Sequence, residues 1–530
     1  MSWVQIPPGA RLLPNDEMSQ GCVYLVGAGP GDPKLLTVKG QELLQQAEVV
    51  VYDHLVAPGV LKYCSPTAQL VYVGKEARKH TASQDGINRL LVRAARAGNV
   101  VVRLKGGDPF LFGRGGEEAL ALAKAGIPYE VVPGVTSALA VPAYAGIPLT
   151  HRRRSSSVAI LTGHEDPSKP QRTMRWDRVA KACDTLVFLM GVRTLPSIIA
   201  QLIRHGRNPK TPAAVIGWGT RPMQRTIVGS LNTIVKQVSR ASLAPPAILV
   251  VGEVVSLRKH LQWFESKPLF GRRILVTRAA DKAGPLTARL ESLGAEVEEL
   301  PAIALAPVKP NGNFRTAIQE VQQTDWVFFT SPEGIGWFSR MLKPYQKDLS
   351  ALAGCHIAAI GPKTAAAIEE AGLRVDFVPK RFTQEGLLRD LPSRLVKGQR
   401  GLILSAQQSR DVLVEGLRKR GMSVKKIPIY QTTIPRALIQ RVTSTFRQPF
   451  DFVTVTSASC VEHLHQALQR AGQSARFAQQ RFASIGPVTS SAVRTLGGRV
   501  AVEAKTSTAE GLIEALIRSC QRGGRRRGVP

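Results

Sequence analysis

The sequence has few acidic and few aromatic residues. Its 530 residues include 39 Asp or Glu against 71 Lys or Arg, and the net charge is +32. An excess of positive charge of this size favours an anionic partner. The charge alone does not distinguish between nucleic acid, an anionic membrane surface and a small polyacid. Aromatic residues make up only 6% and no RNA-binding signature accompanies the charge, so a nucleic-acid-binding α/β protein is the weaker alternative and depends mainly on the basic tail, residues 521–530.

Two further absences narrow the class of protein. No apolar run reaches the roughly 18 to 20 residues of a membrane-spanning helix. The six cysteines lie far apart with no C-x-x-C pair, so the sequence predicts no zinc ribbon and no disulfide scaffold, and no metal is expected. Residues 1–20 lack the cationic and then apolar order of a secretory signal and are interpreted as a disordered lead. We therefore expect a cytoplasmic protein that does not bind a membrane.

Short apolar runs alternate with helix-period segments from Val23 onward, which indicates α/β layers. The chain is about three and a half times the roughly 150 residues of one domain, so several compact units are expected. A second series of strands follows residues 258–270, and we place the boundary between the two halves near Lys267.

The second half contains an internal repeat. Residues 326–331 (Trp-Val-Phe-Phe-Thr-Ser) recur as 452–457 (Phe-Val-Thr-Val-Thr-Ser), and Ile-Gly-Pro-x-Thr occurs at 360–364 and again at 485–489. Such a repeat predicts two similar α/β lobes, each built from one copy or from swapped pieces of both. A cleft between two lobes is a usual place for a ligand.

Residues 23–32 (Val-Tyr-Leu-Val-Gly-Ala-Gly-Pro-Gly-Asp) predict a strand and a glycine-rich turn whose backbone can approach a ligand closely. One interpretation is the dinucleotide loop of an NAD-dependent enzyme, with Asp53 after the next strand as the ribose-binding acid. Two residues oppose it, because Asp32 replaces the last glycine of that fingerprint and Pro30 removes a backbone donor. A plain turn is the other alternative.

A second glycine-rich segment, residues 101–118, contains more glycine and more charged residues than a turn of purely structural function requires. It combines five glycines, two aromatic residues and both signs of charge. We expect the glycines to line a pocket, with Asp108 and either Arg103 or Arg114 supplying opposite charges to a ligand that carries both. Residues 132–138 add hydroxyl groups at a third turn.

Together these motifs resemble the S-adenosylmethionine-dependent uroporphyrinogen-III C-methyltransferases. The similar segments are 27–32, 52–56, 73–75, 103–118, 133–137, 146–152 and 162–164. The resemblance implies a tetrapyrrole methylase fold of two α/β lobes, with S-adenosyl-L-methionine as methyl donor between them, in a homodimer. It also implies two methyl transfers to uroporphyrinogen III, giving S-adenosylhomocysteine and precorrin-2, a precursor in sirohaem and cobalamin biosynthesis.

The same resemblance implies roles for individual residues. Asp53 would accept a proton and Lys75 would donate one. The implied cofactor contacts are Pro30, Gly106, Gly107, Asp108, Leu111, Thr136, Ser137, Met190 and Gly219. Residues 151–154 (His-Arg-Arg-Arg) carry more arginine than the family pattern, and are interpreted as a solvated loop or as a clamp in which Arg152 binds substrate carboxylates.

In the second half, hydroxyl-rich turns recur at the predicted strand ends of both copies. They are interpreted as helix N-caps or as donors to carboxylates. The segments that resemble uroporphyrinogen-III synthase are 271–278, 329–331, 360–364, 429–432, 455–457 and 485–489. The resemblance implies cyclisation of hydroxymethylbilane to uroporphyrinogen III with loss of water, with Tyr430 assisting departure of the hydroxyl group. The residues expected to bind substrate here are Arg278, Thr330, Ser331, Thr456 and Ser457.

The expected organisation is a two-lobed methylase domain over 21–264, a linker over 265–270 and an internally duplicated, two-lobed α/β synthase domain over 271–520. The product of the second domain would be the substrate of the first. Both substrates are polycarboxylates, which would account for part of the positive charge.

Overall fold

The computed structural model describes residues 21–74, 83–164, 174–309 and 312–524. The chain divides into two units, one that runs to Arg272 and includes Glu291–Glu296, and one that comprises Arg273–Leu290 and the chain from Val297 onward. The predicted lead, residues 1–20, and Lys75 lie outside the described residues, as does most of the predicted basic tail. In the parts of the chain that the structure describes, no helix combines the length and apolar character needed to cross a membrane.

The first sheet of the first unit has five parallel strands in the order β3-β2-β4-β1-β5. The strands are β1 (Cys22–Gly27), β2 (Val49–Tyr52), β3 (Gln69–Tyr72), β4 (Val100–Lys105) and β5 (Tyr129–Val132). Its helices are α1 (Val38–Gln46), α2 (Gln84–Arg96) and α3 (Gly115–Lys124). The apolar run of β2 is buried on both faces, since α1 covers one face while α2 and α3 cover the other.

Helix α2 shows how the sequence determines these elements. Ser83 caps its first turn by accepting a hydrogen bond from the Gly86 N–H at 3.1 Å. Its buried residues, Ile87, Leu91 and Ala95, recur every four positions and so lie on one face against the sheet.

The second sheet of this unit is mixed, in the order β6-β7-β10-β8-β9. Its strands are β6 (Val158–Thr162), β7 (Thr185–Leu189), β8 (Pro212–Gly217), β9 (Arg225–Ser230) and β10 (Ala247–Val251). Its helices are α4 (Ser137–Tyr144), α5 (Trp176–Ala182), α6 (Leu195–Arg204), α7 (Ile234–Arg240) and α8 (Arg258–Leu261). β6 and β7 are parallel, whereas β10 is antiparallel to β7 and β8. Helix α4 follows β5 of the first sheet and packs on the second, which joins the two lobes.

The predicted linker, residues 265–270, is packed against the first unit. The carboxylate of Glu265 accepts hydrogen bonds from Gln224 at 2.8 Å, Thr226 at 2.6 Å and Arg258 at 2.6 Å. The rings of Phe264 and Phe270 meet edge to face at 5.3 Å. These contacts hold the segment in one position.

The second unit contains two further five-stranded sheets, in the orders β12-β11-β18-β19-β20 and β13-β17-β16-β14-β15. The first of them comprises β11 (Arg273–Val276), β12 (Glu296–Glu299), β18 (Phe452–Val455), β19 (Arg481–Ser484) and β20 (Arg499–Glu503). Helices α9 (Ala280–Ser292), α15 (Arg436–Thr445), α16 (Ala458–Arg470), α17 (Ala475–Gln479), α18 (Pro487–Thr495) and α19 (Ala509–Gly524) belong with it. The other comprises β13 (Ala304–Pro307), β14 (Trp326–Phe329), β15 (His356–Ala359), β16 (Arg400–Ala406) and β17 (Ser423–Thr433). Helices α10 (Gly312–Gln319), α11 (Pro332–Leu342), α12 (Pro362–Glu370), α13 (Gln384–Asp390) and α14 (Val412–Lys419) belong with that sheet.

The two lobes of this unit are built from swapped pieces of the repeat. β11, from the first copy, pairs in parallel with β18 from the second, and β14 from the first copy pairs in parallel with β16 from the second. The reason lies in how each copy leaves its first sheet. The chain passes to the other sheet between β12 and β13 and again after β17, so the later strands of each copy join the lobe begun by the other copy. The predicted α/β fold is confirmed, and the structure decides in favour of the swapped arrangement.

Candidate active sites

Three glycine turns meet at the carboxyl edge of the first sheet. Gly107 N–H donates to Gly29 O at 2.7 Å, which joins the turn after β4 to the turn after β1. A Cβ at Gly134, after β5, would lie 2.3 Å from Gly107 O and 2.7 Å from Gly27 Cα. Only glycine permits this approach of three backbones, so the edge is lined by main chain.

Asp108 holds these turns together. Its Oδ1 accepts the N–H groups of Phe110 at 2.8 Å and Leu111 at 3.0 Å, and its Oδ2 accepts Gly134 N–H at 3.0 Å. Thr136 caps α4 by accepting Ala138 N–H at 3.3 Å. The Asp108 carboxylate therefore braces the protein's own backbone, and its contact with a ligand stays a prediction.

The second lobe has strained residues after two of its strands, and one of them, Thr220, contacts the turn after β1. Met190 after β7, and Trp218 and Thr220 after β8, have φ values of +57°, +49° and +64°. Side chains other than glycine rarely adopt this conformation, and where they do the residue is often functional. Met190 and Trp218 are 51% and 36% exposed, and Leu55 and Phe110 of the first lobe are exposed as well. Of these, Leu55 lies against Gly106 of the second glycine turn, whereas contact of Met190 with the cofactor stays a prediction.

Asp32 ties the two lobes to each other. Its backbone N–H donates to Thr220 Oγ1 at 3.0 Å, and its Oδ2 accepts the Tyr144 hydroxyl at 2.9 Å. Tyr144 ends α4, and Thr220 follows β8. The acid that replaces a glycine of the dinucleotide fingerprint thus serves to join the lobes.

A buried cluster of charges lies behind Asp53. Arg103 Nη2 donates to Asp53 Oδ2 at 3.2 Å, and Arg103 Nε donates to Glu118 Oε1 at 3.1 Å. Lys105 Nζ donates to the same Glu118 oxygen at 2.9 Å. Arg103 is 3% exposed and Glu118 is fully buried. The remaining Asp53 oxygen accepts Leu55 N–H at 3.0 Å, so both oxygens of the predicted proton acceptor are held in place.

This cluster corrects one interpretation of the sequence. Arg103 cannot offer its charge to a ligand as expected, because β4 directs its side chain towards α2 and α3. Its guanidinium also donates to Val51 O of β2 and to Leu104 O of β4. Burial and the nearby charge of Arg103 lower the pKa of Lys105. Glu118 and Lys105 were not among the predicted site residues. The alternation of two basic residues, at 103 and 105, in an otherwise apolar strand is the signal that could have found them.

In the second unit, Tyr430 and Ser331 meet at the carboxyl edge of the sheet that contains β14. Tyr430 Oη donates to Ser331 Oγ at 2.9 Å. Ser331 precedes α11 and makes no capping hydrogen bond with its side chain. Burial raises the pKa of Tyr430, so the phenol keeps its proton around neutral pH. Thr330 lies beside them and donates to Leu404 O at 3.2 Å.

The corresponding edge of the other sheet carries Arg278 after β11, and Thr456 and Ser457 after β18. Ser457 Oγ accepts Cys460 N–H at 3.2 Å and so caps α16. The geometry thus shows Ser457 as a helix N-cap, and a second role in binding substrate carboxylates stays a prediction.

Two family matches cover most of the two halves of the chain, and the boundary at Arg272 lies between them. Residues 22–235 match the tetrapyrrole (corrin/porphyrin) methylases, and residues 284–514 match uroporphyrinogen-III synthase HemD. The porphyrin biosynthesis protein HemD of Ruminiclostridium josui is 40% identical over 446 residues, which are 84% of this chain and 88% of that protein. The chain belongs to this HemD family of porphyrin biosynthesis proteins.

Two further similarities are to uroporphyrin-III methyltransferases. The uroporphyrinogen-III C-methyltransferase of Bacillus subtilis is 41% identical over 391 residues, 74% of this chain and 78% of that protein. The uroporphyrin-III C-methyl transferase of Thermus thermophilus, crystallised with S-adenosyl homocysteine, is 44% identical; the match covers 45% of this chain and all of that chain, with a TM-score of 0.39. Membership of the HemD family does not favour the NAD-dependent or nucleic-acid-binding alternatives.

Arg152 lies in the turn that precedes β6 of the methylase half. Its turn is anchored at the amino ends of β6 and β7, where His151 pairs with Ser155 and Ser155 Oγ lies 2.7 Å from Thr185 Oγ1. Met190 follows the opposite, carboxyl end of β7, about one strand length or roughly 16 Å away. The role of Arg152 as a carboxylate clamp stays a prediction.

The charge cluster predicts a large difference between two adjacent glutamates. Glu118→Ala should lower the free energy of unfolding of the first unit by about 3–5 kcal/mol, because it leaves the buried Lys105 without its ion-pair partner and takes from Arg103 one of its two carboxylates. Glu117→Ala removes an exposed ion pair with Arg114 and should cost less than about 1 kcal/mol. Urea-induced unfolding, read by hydrogen exchange at the β4 amides, measures both values; equal effects would contradict the role of Glu118.

Proposed function

We propose that the chain is a bifunctional enzyme that cyclises hydroxymethylbilane to uroporphyrinogen III and then methylates this product twice to give precorrin-2. The observation that carries the proposal is the match of each half to one family, within a relative that contains both halves. The chain order is the reverse of the reaction order, so the tetrapyrrole would pass from the second unit to the first.

The glycine edge of the methylase half fits S-adenosyl-L-methionine. A Cβ at Gly107 would meet nothing closer than Ser137 N at 3.7 Å, so space is open here beside the beginning of α4. The backbone of Pro30, Gly106 and Gly107 would hold the cofactor from the first lobe, and Met190 and Gly219 from the second. Asp108 and Leu111 keep their assigned contacts in the proposal, as do Thr136 and Ser137. When bound, the cofactor supplies a methyl group made electrophilic by the sulfonium charge, so positioning contributes much of the rate.

Asp53 has the proton-accepting role in this proposal. Its carboxylate is fixed by Arg103 and by Leu55 N–H, with the exposed side chain of Leu55 beside it. As a pyrrole carbon gains the methyl group, the ring system must release a proton, and Asp53 takes it. Lys75 would return a proton or hold a substrate carboxylate.

Tyr430 has the corresponding role in the synthase half. Cyclisation begins when the C–O bond of the hydroxymethyl group breaks with its electron pair on oxygen, which takes the Tyr430 proton and leaves as water. The pyrrole nitrogen supplies electrons to the carbon left behind, giving an azafulvene. Closure of the ring releases a proton that restores Tyr430. Arg278 and the hydroxyl groups of Thr330, Ser331, Thr456 and Ser457 would bind the carboxylates.

The proposed methyltransferase domain covers residues 21–264 and the proposed synthase domain residues 271–520. The methylase half would form a homodimer, and the enzyme would act in the cytoplasm. Among the described residues, no group of three or more His, Cys, Asp or Glu is placed to hold a metal ion.

Supplying the purified chain with hydroxymethylbilane tests both activities at once. Without S-adenosylmethionine we expect uroporphyrinogen III, and with it precorrin-2 and two equivalents of S-adenosylhomocysteine. Binding of S-adenosylhomocysteine at 100 times its Kd should stabilise the first unit by about 2.7 kcal/mol, whereas NAD should have no effect. Formation of the unrearranged isomer alone, or the absence of a methylated product, would refute the corresponding half of the proposal.

A further inference from the structure

The guanidinium group of Arg103 is held through all three of its nitrogen atoms. Nε donates to Glu118 Oε1 at 3.1 Å, and Nη1 donates to Val51 O at 3.3 Å and to Leu104 O at 3.1 Å. Nη2 donates to Asp53 Oδ2 at 3.2 Å. A planar donor group that is held on several sides has little freedom to rotate. The direction from which Arg103 approaches Asp53 is therefore set by the fold of the first sheet.

Glu118 anchors Arg103 from the opposite side. The same Oε1 atom also accepts hydrogen bonds from Lys105 Nζ at 2.9 Å and from Gln84 Nε2 at 3.2 Å. Arg103 and Lys105 belong to β4 and Gln84 to α2, whereas Glu118 lies on α3. The Glu118 carboxylate thus joins both helices on this face of the sheet to the strand that carries Arg103.

Burial makes this cluster costly for the stability of the fold. Arg103, Lys105 and Glu118 are all buried, and within the parts of the chain that the structure describes Glu118 Oε2 has no hydrogen-bond partner. Replacing a buried ionic cluster by packed apolar residues is often neutral or stabilising, so stability alone does not account for it. The Asp53 side chain, in contrast, is 22% exposed. The accessible end of the cluster is therefore the carboxylate to which the proton-accepting role is assigned.

We propose that Arg103 is a positioning residue for Asp53, and that Glu118 keeps Arg103 in the orientation that this requires. The inference rests on the proposed methyltransferase activity and deepens it. Arg103 Nη2 occupies one lone pair of Asp53 Oδ2 and Leu55 N–H occupies one of Oδ1, so the remaining lone pairs point in fixed directions. One of them takes the proton from the methylated, cationic pyrrole ring, and the electron pair of the broken bond stays in the ring. A carboxylate free to rotate would meet the ring in this geometry only part of the time.

The test uses conservative replacements, because alanine at either position would leave a buried charge unpaired and destabilise the first unit. Arg103→Lys keeps the charge but loses the planar group that reaches several acceptors at once. Glu118→Gln keeps the size and one acceptor oxygen but loses the charge. We expect kcat for methylation of added uroporphyrinogen III to fall about tenfold in both variants, because the base is retained but misaligned. KM and the affinity for S-adenosylhomocysteine should stay within about twofold, which also reports that the first unit has folded.

Arg207→Lys is the matched control. The Arg207 guanidinium is also held at several points, since it donates to the carbonyl groups of Ala180, Cys183 and Asp184 in the second lobe. The same substitution there removes a comparable set of hydrogen bonds away from Asp53. This variant should keep the wild-type kcat for methylation.

A double-mutant comparison separates positioning from a general structural effect. Asp53→Asn removes the base, so adding Arg103→Lys to it should cause no further loss of methylation. A further tenfold loss in that background, an unchanged kcat in either conservative variant, or a loss of S-adenosylhomocysteine affinity parallel to that of kcat would overturn the inference. Failure of the wild-type chain to methylate uroporphyrinogen III is a different result, which would overturn the proposed methyltransferase function itself.

Discussion

Replacing Asp53 by Asn should slow the formation of precorrin-2 at least about 100-fold, while cyclisation of hydroxymethylbilane continues at the wild-type rate. The amide has the size of the carboxylate and can still accept Leu55 N–H, so the local backbone is preserved. It cannot take up the proton that the pyrrole ring must release. The affinity for S-adenosylhomocysteine, measured by calorimetry, should stay within about twofold, because Asp53 is not among the proposed cofactor contacts and the effect is on the chemical step.

Asp85→Asn is the matched control for this substitution. Asp85 is exposed in the first turn of α2, and the same change of acid to amide there should leave both activities unaltered. An unchanged methylation rate in Asp53→Asn would remove Asp53 from the mechanism. A parallel loss of cyclisation would instead indicate damage to the whole chain.

Replacing Gly134 by Ala should abolish methylation by separating the three glycine turns. The new Cβ would lie 2.3 Å from Gly107 O and 2.7 Å from Gly27 Cα, and both neighbours are backbone atoms that cannot rotate away. We expect the affinity for S-adenosylhomocysteine to fall at least about 100-fold, or about 2.7 kcal/mol, as measured by calorimetry.

Gly116→Ala provides the control, because a Cβ at Gly116 in α3 would meet nothing within 4 Å. Alanine is the better helix former by about 0.8–1.0 kcal/mol, so this variant should be at least as stable as the parent and should bind S-adenosylhomocysteine normally. If Gly134→Ala kept full affinity, the meeting of the glycine turns would have no part in binding the cofactor.

Much of the fold follows directly from the sequence. Valine-rich strands such as Val49–Tyr52 are too apolar for one exposed face, and helices such as α2 carry both a cap and a regular buried face. The glycine turns were also predictable, since the clustering of glycine at residues 106–116 exceeds what a turn requires. These features depend on a few neighbouring residues, which is why local patterns reveal them.

The partners of the charged residues were harder to predict. Asp108 and Arg103 read as charges for a ligand, yet Asp108 binds three backbone N–H groups and Arg103 joins Asp53 to Glu118. Glu117 and Glu118 are indistinguishable by type and are adjacent in sequence, but one is exposed and the other is buried with two cations. Which glutamate faces inward depends on how α3 is rotated against β4.

By itself, the sequence determined the α/β class, the two halves with their families, and the residue types at the glycine turns, because each of these depends on short, contiguous sequence patterns. Only the tertiary structure decided that the repeat is swapped between lobes, that Asp32 ties the methylase lobes together, and that Ser331 meets the Tyr430 hydroxyl. Each of these depends on residues tens to hundreds of positions apart. Their contacts arise from the order of strands in the sheets and from the packing of helices on the sheets. The residues of a single segment do not specify either of these.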